Sequence, residues 1–315
     1  MDLSSLLLLL SAPVFLLGMA VELLVLRFRK QPSYDKRDSA VNITTALVNQ
    51  LLNAPWAFVE IAVLLWLCSL VPWHLTGWVA WVVAMIAVDF VFYWYHRSHH
   101  EIRVLWAVHV VHHSSESYNL SVALRQPWAV FTSLPFLIPV ALLGIDAKII
   151  LACYGFNLLY QFFLHTELVN KLWAPIEFVF NTPSHHRAHH ASQEQYLDTN
   201  YGGMLIIWDR MFGTFTPEQE QVRYGLTKNI NTYNVLKVET HEFVSIWRSV
   251  RAASSWKDRF GYVFRGPGWS PTPSPAAPGT DYAADVRDDS WSVDEAAASR
   301  GTDRQLVAAA AGGES

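Results

Sequence analysis

The fold class this sequence predicts is all-α: a multi-pass membrane bundle of about four to five membrane helices, with a cytosolic histidine-rich cap. Three observations predict it. Hydrophobic residues make up 52% of the 315 and charged residues only 16%, with a mean hydropathy of +0.18. That is too apolar for an ordinary soluble enzyme and too interrupted for a plain set of spans. Apolar runs of roughly span length recur before His165. Eleven of the thirteen histidines fall in three places: His96 to His113, His165, and His185 to His190.

The elements follow in chain order. Leu3 to Leu26 is nearly unbroken apolar sequence with one acid, Glu22, and is followed by Arg27, Arg29, Lys30, Lys36 and Arg37. A secretory signal carries its basic residues before a shorter apolar core. The order here predicts a membrane span with the N-terminus outside and its basic flank in the cytosol. A second span covers about Ala46 to Val71, with Asn49, Gln50 and Asn53 near its start, and Pro72 to Gly77 makes a short external turn. A third, Trp78 to about Tyr95, returns to the cytosol and delivers His96. Trp128 to Leu143, broken by Pro135 and Pro139, and Ile149 to Leu164 form a hairpin, either fully crossing or re-entrant. Both versions bring His165 to the cytosolic side, so the topology gathers the histidines on one face.

Beyond the hairpin, Leu172 to Tyr201 is polar enough for a cap, Asn200 to Gly203 reads as a turn, and Met204 to Phe215 as a short amphipathic element. Asp209 and Arg210 read as a structural pair holding that cap. His241 to Val263 alternates apolar residues with Arg248, Arg251, Lys257 and Arg259, the pattern of an interfacial helix or of one packed on the cap. From Gly266 the chain turns Pro-, Ala-, Ser- and Asp-rich, with eight acids against three bases, and reads as disordered. Without that tail, acids and bases nearly balance, and no basic patch argues for nucleic acid. Fourteen Trp and twelve Tyr suit a long membrane interface. Cys68 and Cys153 sit in apolar runs without metal-thiolate spacing.

The chemistry lies in the spacing of the histidines. His96 and His100 are four apart; His109, His112, His113 and then His186, His189, His190 repeat H-x-x-H-H. Residues three and four apart share a helix face, so each cluster can aim several imidazoles at one point. Imidazole is the commonest protein metal ligand and suits iron, zinc, copper and nickel. A catalytic zinc keeps about three protein ligands; eight cluster histidines and His165 suffice for two ions. The zinc-protease H-E-x-x-H is absent, as is the Glu-x-x-His of soluble di-iron bundles. Iron is the metal whose redox chemistry a dinuclear all-histidine site would exploit. Asp89, costly near the end of a membrane span, is a candidate to orient a ligand imidazole, as are Glu101 and Glu116. Asn119 and Arg125 read as capping and packing residues ahead of the alternative that they contact a polar head group.

HRSHHEIRVLWAVHVVHH, NTPSHHRAHH and NYGGMLIIWDRMFGTF together resemble the fatty acid hydroxylase/sterol desaturase superfamily of membrane di-iron oxygenases. Within it, HHSSESYNLSVALRQ and the stretch following HHRAHH are most similar to the alkylglycerol monooxygenase branch, whose animal members are tetrahydrobiopterin-dependent ether-lipid hydroxylases. The resemblance implies a catalytic region over 88–265 containing the membrane hairpin 128–165, after N-terminal transmembrane helices over 1–87 and before a tail over 266–315. It implies two irons held by His96, His100, His109, His112, His113, His186, His189 and His190, with His165 as the additional ligand. His99 and His185 are extra; the i,i+4 match favours His100 over His99. The implied activity is O2-dependent hydroxylation or desaturation of a lipid. The partners are the lipid, the membrane, and an external electron donor: a ferredoxin, a cytochrome or a reduced pterin. The location is the plasma membrane in a bacterium or the endoplasmic reticulum in a eukaryote. Two rivals stand beside this reading: a zinc-dependent membrane hydrolase with one ion and no O2 requirement, and a non-catalytic membrane metal-binding or scaffold protein.

Overall fold

A computed structural model describes residues 3–32 and 34–271, so the tail expected to be disordered lies almost wholly outside the described residues. Among them the fold is all-α, with two isolated β-bridges and no strand. Three long helices come first: α1 (Leu3–Phe28), α2 (Lys36–Ser69) and α3 (Gly77–Glu101). α4 (Arg103–His113) follows α3 after Ile102 alone, whose extended backbone (φ −117°, ψ 117°) reverses the chain. α5 (Leu134–Ala141) and α6 (Ala147–Phe162) make the hairpin, and the short α7 (Ala174–Val179), α8 (Pro183–His189) and α9 (Ile207–Phe212) build the cap. α10 (Val235–Ala252) and α11 (Trp256–Phe264) close the described chain.

α2 starts ten residues before the expected Ala46. Asp35 caps it by accepting the Asp38 N–H at 2.7 Å, and its first turns carry Asp38, Asn42 and Thr45, which weaken the hydropathy signal. All three polar side chains are buried, satisfied by the loop after α4: Ser115 donates to Asp38, and Arg125 to both Asp38 and Asn42. α3 likewise runs six residues past Tyr95, because the histidines beyond it face inward and continue the helix.

Two helices, α2 and α3, are long and apolar enough to cross a membrane among the described residues. α2 turns Leu47, Leu51, Phe58 and Trp66 outward, each more than half exposed, as a lipid-facing helix would. Its inner face meets α3, α5 and α6 in one core that includes Leu64, Ala84, Val88, Leu137, Val140, Ile145 and Ile150. α5 has eight residues and is about 12 Å long, well short of a hydrocarbon layer of about 30 Å. Gly144 makes the hairpin's turn at φ +77°, and a side chain there would strike the Trp73 carbonyl at 2.5 Å.

The lone acid of the first apolar run is fully engaged. Buried Glu22 accepts hydrogen bonds from the Tyr34 and Thr166 hydroxyls and from the Leu120 N–H, tying α1 to the loops beneath the histidines. The stretch expected as one helix over His241–Val263 is two. It breaks at Ala253 and restarts where Ser255 caps α11 by accepting the Asp258 N–H.

Candidate metal centre

The nine histidines singled out from the sequence converge from three helices and one loop. They form two groups, within each of which the potential ligand nitrogens lie within 4.8 Å of one another. One group holds His96 and His100 of α3, His109 and His113 of α4, and His189 of α8; the other holds His112 of α4, His165 after α6, His186 of α8 and His190 just past its end. Helical geometry explains the division. At 100° per residue, positions i and i+4 are 40° apart and position i+3 lies to the other side. In each H-x-x-H-H the outer pair therefore joins one group and the middle histidine the other: 109 and 113 against 112, and 186 and 190 against 189.

Backbone carbonyls fix the tautomers. Nδ1 of His96 donates to Tyr201 O at 2.9 Å, that of His189 to Thr199 O at 2.8 Å, that of His165 to Gln161 O at 2.8 Å, and that of His112 to Arg125 O at 3.3 Å. A carbonyl only accepts, so each Nδ1 carries the proton and each Nε2 presents a lone pair inward. Yet Nε2 of His112 and Nε2 of His165 lie 3.1 Å apart. Two lone pairs at that distance repel unless a cation sits between them. Nε2 of His100 and of His190 are also buried without any partner. Among the described residues no donor reaches the His100 and His190 nitrogens, and the set fits a metal ion.

Burial keeps the imidazoles neutral. It pushes His109, His112, His113, His186 and His190 well below the ordinary imidazole value, helped by neighbouring imidazoles, and His189 down to about 4. The sign for stability follows. Between pH 6.5 and about 4 the unfolded chain binds protons on these residues while the folded metal-free protein does not, so stability falls as pH falls. Each such histidine contributes a slope of up to about 1.4 kcal/mol per pH unit. Metal-stripped protein is therefore expected to melt at progressively lower temperature from pH 7 to pH 5, and loaded protein to release metal over the same window. A midpoint flat across that window would mean the imidazoles are not buried in the neutral form.

His99 and His185, the two extras, stand outside both groups. His99 donates Nδ1–H to Tyr95 O at 2.7 Å and lies against the Tyr95 ring. His185 Nε2 meets the Glu177 carboxylate at 2.9 Å.

None of the three acidic candidates bonds a ligand imidazole. Asp89 instead anchors the turn that does: its oxygens accept the Met204 N–H at 2.7 Å, the Leu205 N–H at 3.1 Å, the Trp208 indole at 2.8 Å and the Asn157 amide at 2.6 Å. Gly203 is glycine because a Cβ would stand 2.8 Å from the Asn157 amide and 2.9 Å from the Asp89 carboxylate. Glu101 pairs with Arg97 at 2.8 Å on the surface. Glu116 is exposed and lines a cavity of about 200 Å³ with Glu22, Tyr118 and Glu167.

Two residues matter more than the sequence suggested. Asp209 and Arg210 do not pair. Asp209 accepts the N–H groups of Tyr201 and Gly202 and the Thr214 hydroxyl, fixing the carbonyl that orients His96; Arg210 lies over the Phe215 ring, 3.7 Å from its centroid. Arg125, fully buried, grips Val111 O, Ser114, Asp38 and Asn42 while its own carbonyl orients His112. The signal for Asp209 is an acid six residues beyond a Gly-Gly turn. For Asn157 it is an amide in an apolar helix.

Comparison with known proteins agrees with this picture. The chain is 42% identical over 269 residues to the alkylglycerol monooxygenase of Homo sapiens, covering 83% of this chain and 59% of that one. It is 40% identical over 246 residues to that of Xenopus tropicalis, 74% and 53%. An ornithine lipid hydroxylase of Rhizobium tropici is 28% identical over 162 residues, 47% and 46%. The chain thus spans a little over half the length of the alkylglycerol monooxygenases it matches here. No solved structure matches. A sequence model of the fatty acid hydroxylase family matches residues 81–214, the segment from the second turn of α3 to just past α9 that carries all nine histidines. By that segment, the chain is similar to the fatty acid hydroxylase family.

Proposed function

We propose that this protein is a multi-pass membrane oxygenase that inserts oxygen into, or desaturates, a C–H bond of a lipid, using O2, external electrons and two iron ions. The observation that carries the reading is the pair of groups of five and four inward-facing imidazoles. Nearest Nε2–Nε2 separations of 2.9 to 3.1 Å recur in both groups. Each group offers more imidazoles than the about three protein ligands of a catalytic zinc, which favours iron.

When bound, the iron pair supplies the oxidising power: R–H, O2, two electrons and two protons give R–OH and water. The chain's own residues do the rest. The neutral imidazoles of His96, His112, His165 and His189 are aimed in advance by their carbonyl partners, so metal binding costs little reordering. Asp89 and Asp209 hold the turn behind His96, and Arg125 holds the end of α4 behind His112. α6 ends three residues before His165, so an acyl or alkyl chain held along the apolar hairpin would approach that group from the bilayer. Two apolar helices and the histidines beyond them support a membrane enzyme whose centre faces the cytosol. Alkylglycerols, named in the relatives, are the first lipids to test, and a reduced pterin, a ferredoxin or a cytochrome the donors.

The decisive test is anaerobic loading of the purified full chain, metal analysis, and incubation with alkylglycerol, each donor class and O2. Expected are two irons per chain and product that is heavier by one oxygen or lighter by two hydrogens, formed only with O2 and reductant. One bound zinc with product formed without O2 would replace the oxygenase by a hydrolase.

A further inference from the structure

α10 and α11 leave a second apolar face uncovered. α10 packs through Val238, Glu239, Glu242 and Ile246, all buried. Beside that face, at 100° per residue, Leu236, Phe243, Val244 and Trp247 form another stripe, exposed to 61%, 39%, 42% and 62%. α11 repeats the plan at four-residue intervals: Trp256, Phe260 and Phe264 are 81%, 64% and 50% exposed. Cations border both stripes and lean on the rings. Arg251 lies over Trp247 (5.8 Å), Arg259 over Trp256 (4.7 Å), and Arg265 over Trp269 (5.1 Å). Of the acids on the two helices, Glu239 and Glu242 are buried, which leaves Asp258 alone at the surface beside Arg251, Lys257, Arg259 and Arg265.

The stripe is joined to the part of the molecule that meets lipid. Glu239 accepts the N–H of Trp128, the residue that opens the hairpin segment, at 3.0 Å. Leu236 and Phe243, three before and four after Glu239, stand on that side of α10. The neighbouring Pro127 carbonyl is held by Asn49 of α2, whose outward Leu47 and Leu51 are 63% and 75% exposed. An apolar surface therefore runs from α2 past Trp128 onto α10 and α11, and gains aromatic and cationic residues as it goes. Amphipathic aromatics bordered by cations are what the headgroup layer of a membrane selects, with anionic lipid matching the charge.

We infer that α10 and α11 lie on the headgroup layer of an anionic bilayer, on the face that carries the histidine centre, and hold the mouth of the hairpin at the lipid surface. The inference rests on the membrane part of the proposed function and not on turnover.

The test uses the full chain in nanodiscs of zwitterionic lipid, with or without roughly a third anionic lipid, and with lipids brominated near the acyl-chain carboxyl for positions 256, 260 and 219 or near the chain end for position 58. A fluorescent amino acid replaces Phe260, Trp256, Phe58 or Gln219, one at a time. Bromolipid is expected to lower emission at 256 and 260 by about twofold or more, most strongly with anionic lipid, and to leave the cap position 219 unchanged. R251E/K257E/R259E should abolish the anionic-lipid effect while keeping wild-type metal content, which shows the fold is intact. Quenching at 58 without quenching at 256 and 260 overturns the inference and spares the membrane reading; no quenching at 58 overturns that reading instead. Protection of 256 and 260 found only in discs with two copies, or only after adding a soluble donor protein, would give the face to a protein partner and overturn the inference.

Discussion

His112→Ala is expected to empty the metal centre and abolish lipid oxidation. His112 is the α4 histidine that crosses from the group of its own helix to the one built on His165, His186 and His190. Removing it leaves three imidazoles where four converged and frees the Arg125 carbonyl that held its ring. Losing a residue that merely orients a ligand lowers metal affinity about 10- to 100-fold, so losing the ligand itself should cost more than about 100-fold. Metal per chain after dialysis is the readout, and His185→Ala is the control. His185 is equally buried but pairs with Glu177 outside both groups, so that variant should keep its metal. Full metal content and activity in His112→Ala would reject the ligand assignment. Retained metal with no lipid turnover in the wild type would favour the scaffold reading.

Asp89→Ala is expected to be the most damaging change away from the histidines. Four donors converge on this carboxylate, two of them backbone N–H groups. Each buried donor left unsatisfied costs about 1–3 kcal/mol, so the loss should be on the order of 4 kcal/mol or more, comparable with the whole stability of many domains. Because the freed turn carries the Tyr201 carbonyl that orients His96, metal content should fall with the melting temperature. Asp89→Asn keeps one accepting oxygen and should lie between. A melting temperature for Asp89→Ala close to wild type would show that the turn is held elsewhere.

Much of this was readable before any coordinates, and the exceptions have physical causes. Nine histidines could be chosen because helical spacing is a local rule: 96 with 100, and 109 with 113, must share a face wherever the helix lies. The crossing-over of 112 and 189 also follows from that rule, but which helix receives them is a tertiary fact. The polar start of α2 was missed because Asp38, Asn42 and Thr45 are satisfied by residues some 80 positions away, among them Ser121 and Arg125, and hydropathy cannot see a partner at that distance. For the same reason Asp89 was marked as important but given the wrong contact. An acid in an apolar run announces that donors exist, and does not say whether they are imidazoles or main-chain amides. Glu101 and Glu116 stand out by proximity in sequence to the histidines, but Glu101 faces outward from the end of α3 and Glu116 lies in the exposed loop after α4.

The exchange of histidines between α4 and α8 has one more consequence. Under the two-ion reading, neither helix can settle around one ion without also setting an edge of the other ion's cage. The first atom captured thus prepares the berth of the second. Half-filled molecules should be scarce, and damage on one side should be felt across the pair.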